Sequence, residues 1–526
     1  MKWKILNKRR KEIIKSLFEN RNLKTKKEID DFLEPKNPEN IKIEDLNIKK
    51  ESVKKILGRL KIAKEKKEKI VVFGDYDADG ICATAILWET LYKLGFDAMP
   101  YIPDRFEEGY GIKASSLANS KLKNLNPKLI ITVDNGIVAY DAIKEAKKRK
   151  IDVIVVDHHT KGKLVPSPYC LHSTLVCGSA LAWFLSKELG IKDGLDLVAL
   201  GTVADQMPLL GINRSLVKFG LLELLKTKKV GLQTLFKDLK LDNIGTYEVG
   251  YLIAPRINAM GRLANATDSL RFLCTRDLKK ANDLNKLLNE TNSKRQKIVD
   301  EVLTKVLKQV QGNDKIIVIS GKYHEGVIGL ASGKITEKFY RPSIVLSENK
   351  DTSKASARSI FGFNIIEAIK ETGLIIEGGG HPMAAGFSIE TNKISDFRFK
   401  INELSKNKLT DEILEKKLYI DLEISFDQIT KELVEEIKKF GPVGVGNAQP
   451  TFVSKNVEIK EIKKVGQEGK HLKLKLSQNG IVFDAIWFNN NQSPIINNQY
   501  NIVYEIDENI WNNKTSIQLK IRDIKI

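Results

Sequence analysis

Short apolar runs, each closing on a polar cluster, alternate with stretches of helical spacing through the first part of the chain. Ile70-Val71-Val72-Phe73 reads as a buried strand, as do Leu129–Val133 and Val153–Val156. Between them lie helical patterns: Glu51 to Lys67 (apolar at Val53, Ile56, Leu57, Leu60 and Ile62), Ile81 to Leu94, and about Val138 to Arg149. Strands alternating with helices predict an α/β domain built on a parallel, doubly wound sheet. Ligands of such sheets bind at the carboxyl ends of the strands. The runs end in Asp75-Tyr76-Asp77-Ala78-Asp79, in Asp134, and in Asp157-His158-His159. A further apolar run, Leu195 to Ala204, ends in Asp205. Each set is taken to stand at a strand's carboxyl end, which implies one shared site.

Elsewhere the pattern changes. Residues 1–50 read as a basic helical region with a break at Glu34-Pro35-Lys36-Asn37-Pro38, and residues 51–275 as the catalytic domain, mostly helical after residue 209. Asp277 to Val310 carries Leu284, Leu287, Leu288, Ile298, Val302 and Val306 among many charges, which predicts a connecting helix over 276–312. A second α/β unit spans 313–405, from the run Ile316–Ile319 onward. Residues 415–526 turn to period-two alternation, with Gln478-Asn479-Gly480 as a hairpin turn, and predict a small antiparallel β-barrel.

Three carboxylates within five residues repel one another, and at the end of a buried strand they imply a cation. The candidate ligands are Asp75, Asp77, Asp79, Asp134, His158, His159 and Asp205. Carboxylates with one or two imidazoles suit Mn²⁺ or Mg²⁺ rather than a thiol-seeking metal. Ligands drawn from four segments suit two ions about 3.5–4 Å apart, which activate a water as nucleophile. The alternative for a strand-end Asp is a helix N-cap, and Asp79 is placed to serve as one.

Composition adds limits. The 526 residues exceed one ordinary core, so several domains are expected. A net charge of +20 suits a polyanionic partner, although the richness in Lys, Ile and Asn would raise it in any case. Cys82, Cys170, Cys177 and Cys274 show no CxxC spacing and read as reduced core residues. The basic N-terminus lacks the apolar core of a signal peptide, and no apolar run reaches the length of a membrane span. A cytoplasmic protein is expected.

Gly74-Asp75-Tyr76-Asp77-Ala78-Asp79-Gly80, Val133–Gly136, Asp157-His158-His159 and Gly201–Asp205 resemble the four ordered motifs of the DHH phosphoesterase superfamily. Together with Pro103–Gly111, the first of these resembles its RecJ branch, single-strand-specific 5′→3′ exonucleases. Ala254–Arg262 is similar to that branch's NPRLNAAGR segment. His324–Gly329, Ser356–Ser359 and Gly378–Gly386 look like its companion DHHA1 domain. The resemblance implies that Asp77, Asp79, Asp134, His158 and Asp205 bind metal, with Asp75 and His159 in or beside the ligand set. Asp134, His158, His159 and His381 would serve catalysis, His381 touching the scissile phosphate. Arg105, Ser356 and Arg358 would hold a 5′ phosphate, and Arg256, Asn258, Arg262, His324, Gly379 and Gly380 would line the substrate path. Arginine binds phosphate bidentately, and successive glycines let backbone N–H groups converge on an anion. His324 reads equally well as a helix-terminal packing residue. The loop between His159 and Cys177 is shorter than the family's, and Gln206 replaces its usual apolar residue.

The C-terminal barrel is similar to an OB fold. Phe452, Phe483, Trp487, Phe488 and Trp511, set among Lys470, Lys473 and Lys475, would stack bases or fill the barrel core. The resemblance implies single-stranded DNA as substrate and a role in repair and recombination. It also implies a single-strand-binding protein and a helicase as partners, and a monomer. Two other readings are a nanoRNA or cyclic-dinucleotide phosphodiesterase, and a non-catalytic DNA-binding replication factor.

Overall fold

A computed structural model describes all residues except 8–11, 311–313, 467–468, 490–493 and 512–513. The chain opens with a strand, β1 (Lys2–Ile5), then α1 (Ile13–Asn20), α2 (Lys26–Leu33) and α3 (Lys50–Glu65). The helical reading of residues 1–50 therefore misses their first element. Leu17, Phe18 and Phe32 pack into the core of the C-terminal body, so α1 and α2 belong to that body, whereas α3 packs into the core of the first α/β domain.

The first α/β domain follows. Its elements are β2 (Ile70–Phe73), α4 (Ala78–Lys93), β3 (Ala98–Tyr101), α5 (Ser120–Leu125), β4 (Leu129–Val133), α6 (Tyr140–Lys148), β5 (Asp152–Asp157) and β6 (Tyr169–His172). Among the described residues the sheet order is β3-β2-β4-β5-β6, every pair parallel. The inner strands are buried along almost their whole length because helices cover both faces. The edge strands β3 and β6 are short, and Pro100 within β3 costs no internal ladder bond at an edge.

Seven helices succeed the sheet: α7 (Gly178–Glu188), α8 (Leu195–Ala204), α9 (Gly211–Leu225), α10 (Val230–Leu239), α11 (Ala254–Leu263), α12 (Thr267–Cys274) and α13 (Leu278–Leu307). The run 195–204 is thus a buried helix, not a strand, and Asp205 is its C-cap. An apolar run of that length has no periodicity to separate the two states. Gln206 follows at φ 58°; its N–H donates to Val203 O and the Met207 N–H to Thr202 O, a Schellman turn with Gln in the left-handed position usually given to Gly.

The 30-residue α13 leads into the second α/β domain: β7 (Ile317–Gly321), α14 (Glu325–Phe339), β8 (Ser343–Ser347), β9 (Thr352–Arg358), α15 (Ile365–Glu371), β10 (Ile375–His381), β11 (Ala384–Glu390) and α16 (Ile394–Lys408). Its sheet order is β10-β11-β9-β8-β7, which leaves β10 at an edge. After α17 (Asp411–Leu414) come β12 (Lys417–Ile420), β13 (Leu422–Glu423), α18 (Lys431–Lys438), β14 (Thr451–Val465), β15 (His471–Gln478), β16 (Ile481–Trp487), β17 (Gln499–Trp511) and β18 (Lys514–Lys525). β12 pairs parallel with β1. Strands β14-β15-β16-β18-β17 close into a barrel through the β14–β17 pairing. One seam, β16–β18, is parallel; the other pairs around the ring are antiparallel. Asn479 and Gly480, both at positive φ, make the β15–β16 turn as the sequence predicts.

Phe452 and Trp487 lie in the barrel core, and Phe483 packs against it. Phe488 is 52% exposed, with the His471 ring 5.2 Å away. The Trp511 side chain lies outside the described residues. Lys473 and Lys475 stand in surface ion pairs with Asp484 and Glu461. The four cysteines are free.

Candidate metal centre

The centre forms where β2, β4 and β5 end beside three helix termini, the starts of α4 and α7 and the end of α8. Asp77 is the N-cap of α4: its Oδ1 accepts from the Gly80 N–H at 3.0 Å. Asp79, two residues on in the first turn of α4, is not its own helix's cap. Its Oδ2 and Oδ1 accept from the Gly178 and Ser179 N–H groups, at 2.7 and 3.0 Å, where α7 begins. These are donors a helix start leaves without an internal partner. A carboxylate so bound keeps lone pairs for a cation. The approach is tight: a Cβ on Gly178 would come within 2.6 Å of Asp134 Cβ, and one on Gly201 within 2.3 Å of Asp79 Oδ1.

Asp134 is buried and held at φ 61°, with its N–H donating to Val156 O. That conformation costs a non-glycine residue about 1–3 kcal/mol and points to a function for the side chain. Neighbouring Asn135 ties the strand ends together, donating to Phe73 O and Val133 O. His158 Nε2 stands 3.1 Å from Asp134 Oδ1 and 3.7 Å from Asp205 Oδ2. Three sets have donor atoms within 4.8 Å of one another: Asp134, His158 and His159; Asp79, His158 and Asp205; Asp75, Asp77 and Asp134. All seven residues singled out in the sequence therefore come together, and Asp75 groups directly with Asp77 and Asp134.

The electrostatics call for added positive charge. Burial first, then neighbouring carboxylates, push Asp75 and Asp134 well above the usual carboxylate range and raise Asp77. The same causes lift Asp205 to about 8. Burial lowers His158, which favours the neutral, metal-ligating imidazole. Asp75 Oδ1 and Asp134 Oδ1 are buried without a hydrogen-bond partner among the described residues; the His158 contact is near but poorly aligned. Oxygen and imidazole donors, unpaired carboxylate atoms and raised carboxyl pKa values fit hard divalent cations.

Two residues here were not singled out. Asp157 Oδ1 accepts from His159 Nδ1 at 2.8 Å, and its Oδ2 accepts from the Ile137 N–H. Burial is the largest single influence and lowers His159, but the Asp157 hydrogen bond and the charges of Asp157, Asp205 and Asp75 together raise the imidazole to about 8. Tyr110 Oη donates to Asp134 O at 3.2 Å and lies 3.2–3.3 Å from the His159 ring nitrogens. Asp157 carried a signal as the first member of its motif. Tyr110 lay within the Pro103–Gly111 segment, but nothing in the sequence separated it from its neighbours there, because its place beside His159 is fixed only by the fold. Beside it opens a cavity of about 410 Å³ lined by Tyr110, Lys113, Gly136, Ala139 and Tyr140.

A basic face borders the centre, with Arg358 from the second domain, Arg105 and Arg262 from the first, and Arg295 from α13 between them. Arg358 Nη1 donates to Ser356 Oγ at 3.3 Å, two residues apart on one face of β9. Arg105 lies over the Tyr76 ring at 5.0 Å. Burial, then the fields of Arg105, Arg295 and Arg358, lower Arg262 to about 10. Arg295 on α13 was missed; its Nε is buried without a partner among the described residues. Other expected contacts are otherwise engaged. Arg256 donates to Asn289 Oδ1 and Leu252 O, Asn258 Oδ1 accepts from the Ala78 N–H, and His324 caps α14 with its ring edge-on to Phe106. Gly379, Gly380 and His381 do not form a nest of converging N–H groups. They are extended in β10, paired with Gly386, Ala385 and Ala384, and exposed along the sheet edge.

Comparison with known proteins agrees with this layout. Residues 69–202 match the DHH family N-terminal domain, 312–407 the DHHA1 domain and 420–523 the RecJ OB domain. A Haemophilus influenzae protein named single-stranded-DNA-specific exonuclease RecJ is 31% identical over 510 residues, 87% of this chain and 88% of that protein. The chain belongs to the RecJ family. A RecJ of the same name from Bacillus subtilis is 35% identical over 90% of this chain, which spans 63% of that relative's length. The crystal structure of Thermus thermophilus RecJ in complex with Mn²⁺ superposes with a TM-score of 0.84 at 27% identity, covering all of this chain and 79% of that one.

Proposed function

We propose that this chain is a metal-dependent exonuclease that degrades single-stranded DNA from the 5′ end and releases 5′ mononucleotides. The observation that carries the proposal is the pairing of an acidic, cation-seeking centre with an arginine-lined face that forms no ion pair among the described residues. Two Mn²⁺ or Mg²⁺ ions held there would supply a water of lowered pKa and positive charge to offset that of a phosphoryl group. Asp75, Asp77, Asp79, Asp134, His158 and Asp205 would hold them.

The remaining work falls to the chain's own groups. Arg105, Ser356 and Arg358 bind the terminal 5′ phosphate, each charged hydrogen bond contributing about 1.5–3 kcal/mol. That pocket sets polarity, because a 3′ end offers no phosphate to it. Arg262 steadies the next phosphate. Asp157 fixes the His159 imidazole by its Nδ1–H, so His159 presents a proton-exchanging ring beside Asp134. His381, exposed on the β10 edge, approaches the scissile phosphate from the opposite side. Phe488 and the barrel surface guide the strand inward. Among the described residues no helix is long and apolar enough to cross a membrane. The enzyme acts as a cytoplasmic monomer in repair and recombination, beside a single-strand-binding protein and a helicase that supply single strands.

The test compares kcat/KM on a long 5′-phosphorylated single strand and on a dinucleotide. The long strand should be shortened stepwise. Cleavage of the dinucleotide only would overturn the proposal in favour of a small-substrate phosphodiesterase.

A further inference from the structure

Arg214, the fourth residue of α9, is a buried cation outside every motif above and, among the described residues, faces no carboxylate in any hydrogen bond. All five of its N–H donors are spent on backbone carbonyls. Nε donates to Phe32 O at 2.7 Å. Nη1 donates to Phe440 O and Pro442 O at 3.0 and 3.3 Å, and Nη2 to Lys439 O and Gly441 O at 3.2 and 2.7 Å. The guanidinium carbon lies 3.7 Å from the centre of the Phe32 ring. One side chain from the first α/β domain thus grips an N-terminal helix and the chain that leaves α18. The carbonyls at that helix end carry partial negative charge, which suits a cation. Burial lowers the Arg214 pKa to about 10, so the charge persists at neutral pH.

The gripped strap, residues 439–448, touches more than Arg214. The Leu209 N–H donates to Val445 O at 2.8 Å. Gly444 and Gly446 pack so closely on the loop before α9 that a Cβ on Gly444 would fall 2.7 Å from Leu209 Cδ1, and one on Gly446 3.1 Å from Pro208 Cβ. That loop, Gln206 to Leu210, is the direct continuation of Asp205. It starts from the left-handed Gln206 turn, whose geometry neither Gly nor Asn helps to fix. Thr246 Oγ1 donates to Val443 O from the opposite side. Asn447, fully buried, closes the strap on itself by donating to Phe440 O and Pro442 O.

We infer that Arg214 is a positioning residue of the acidic centre: it clamps the strap of the C-terminal body onto the loop that follows Asp205, so that seating of the barrel fixes where the Asp205 carboxylate stands. The metal part of this inference rests on the function proposed above; the mechanical part does not. The barrel is then a structural component of the centre as well as a surface for the strand.

Two readouts test it on the full-length protein. Arg214→Lys keeps the charge and reduces the donors from five to three. Hydrogen exchange should show the strap and the Gln206–Leu210 amides losing protection together, each by about tenfold or more. Free-Mn²⁺ signal in electron paramagnetic resonance should show half-occupancy moving about 10-fold higher in Mn²⁺, the order of change seen when a ligand's support is removed. Gly444→Ala, which pushes on Leu209 and leaves Arg214 in place, should reproduce both shifts and decides the matter if Arg214→Lys does not fold. A strap that loosens while 206–210 keep wild-type protection would overturn the inference. So would unchanged Mn²⁺ half-occupancy in a folded variant. Failure of the wild type to take up Mn²⁺ would instead sink the functional reading, and the exchange result would still decide the mechanical claim.

Discussion

Two faces adjoin at the metal centre and hold charges of opposite sign, and neither neutralises its own. On the side of the parallel sheet, Asp75, Asp77, Asp134 and Asp205 are crowded together and all pushed upward in pKa. On the arginine side, burial lowers Arg262, Arg295 and Arg358, and the Arg262 guanidinium is further depressed by its cationic neighbours. Ordinary buried ion pairs move the other way, each partner stabilising its opposite's charge. Arg59 shows this elsewhere in the chain: burial opposes it, but Asp152 and Glu68 raise it. On the proposed function, the two faces are built for charges brought from outside, cations on one side and a phosphate chain on the other.

The comparison can be broken at either side. Asp134→Ala should have the largest effect, lowering kcat/KM on single-stranded DNA by about 10³-fold or more, roughly 4 kcal/mol of transition-state stabilisation. Circular dichroism should show the fold intact; near-wild-type rates would remove the metal assignment. Arg358→Ala strikes the opposite side. It should raise KM about 10–100-fold for a 5′-phosphorylated strand and much less for a 5′-hydroxyl strand, because only the former loses a charged hydrogen bond.

A third effect follows from the carboxyl pKa values. Groups whose folded pKa is raised add stability that is complete below the unfolded value near 4 and is lost as pH rises through the folded value. For Asp205 that folded value is about 8. In chelator, thermal stability should therefore fall from about pH 5 to about pH 8. Mn²⁺ at a hundredfold excess over its Kd should restore about 2.7 kcal/mol, or about 5–10 °C, and the gain should grow with pH. A metal-induced shift that shrinks toward pH 8 would argue against carboxylate ligation. The smallest effect belongs to Phe488→Ala. It should weaken binding of long strands by about 1–3 kcal/mol and leave dinucleotide turnover unchanged.

Much of the centre was legible because β2, β4 and β5 are continuous apolar runs that end abruptly in charge. β3 and β6 were not, since edge strands are short and mixed, and Pro100 interrupts the first. β1 could not be read locally: its partner, Lys417–Ile420, lies at the far end of the chain. Leu195–Ala204 pointed to Asp205, which the fold brings beside Asp79 and His158, but to the wrong element, because a helix buried all round has no polar face to set its period. Asp79 was foreseen as a cap, yet it caps α7, about a hundred residues away, while Asp77 caps α4. Arg214 and Arg295 were invisible because nothing in their neighbourhoods marks a buried cation; only the packing of distant segments does.

The most direct measurement follows label release from single-stranded DNA carrying ³²P at its 5′ or its 3′ end, with Mn²⁺ present. The account predicts immediate release of 5′-labelled mononucleotide, late release of the 3′ label, and neither with Asp134→Ala. Early release from the 3′ end, or wild-type-like release by Asp134→Ala, would contradict it.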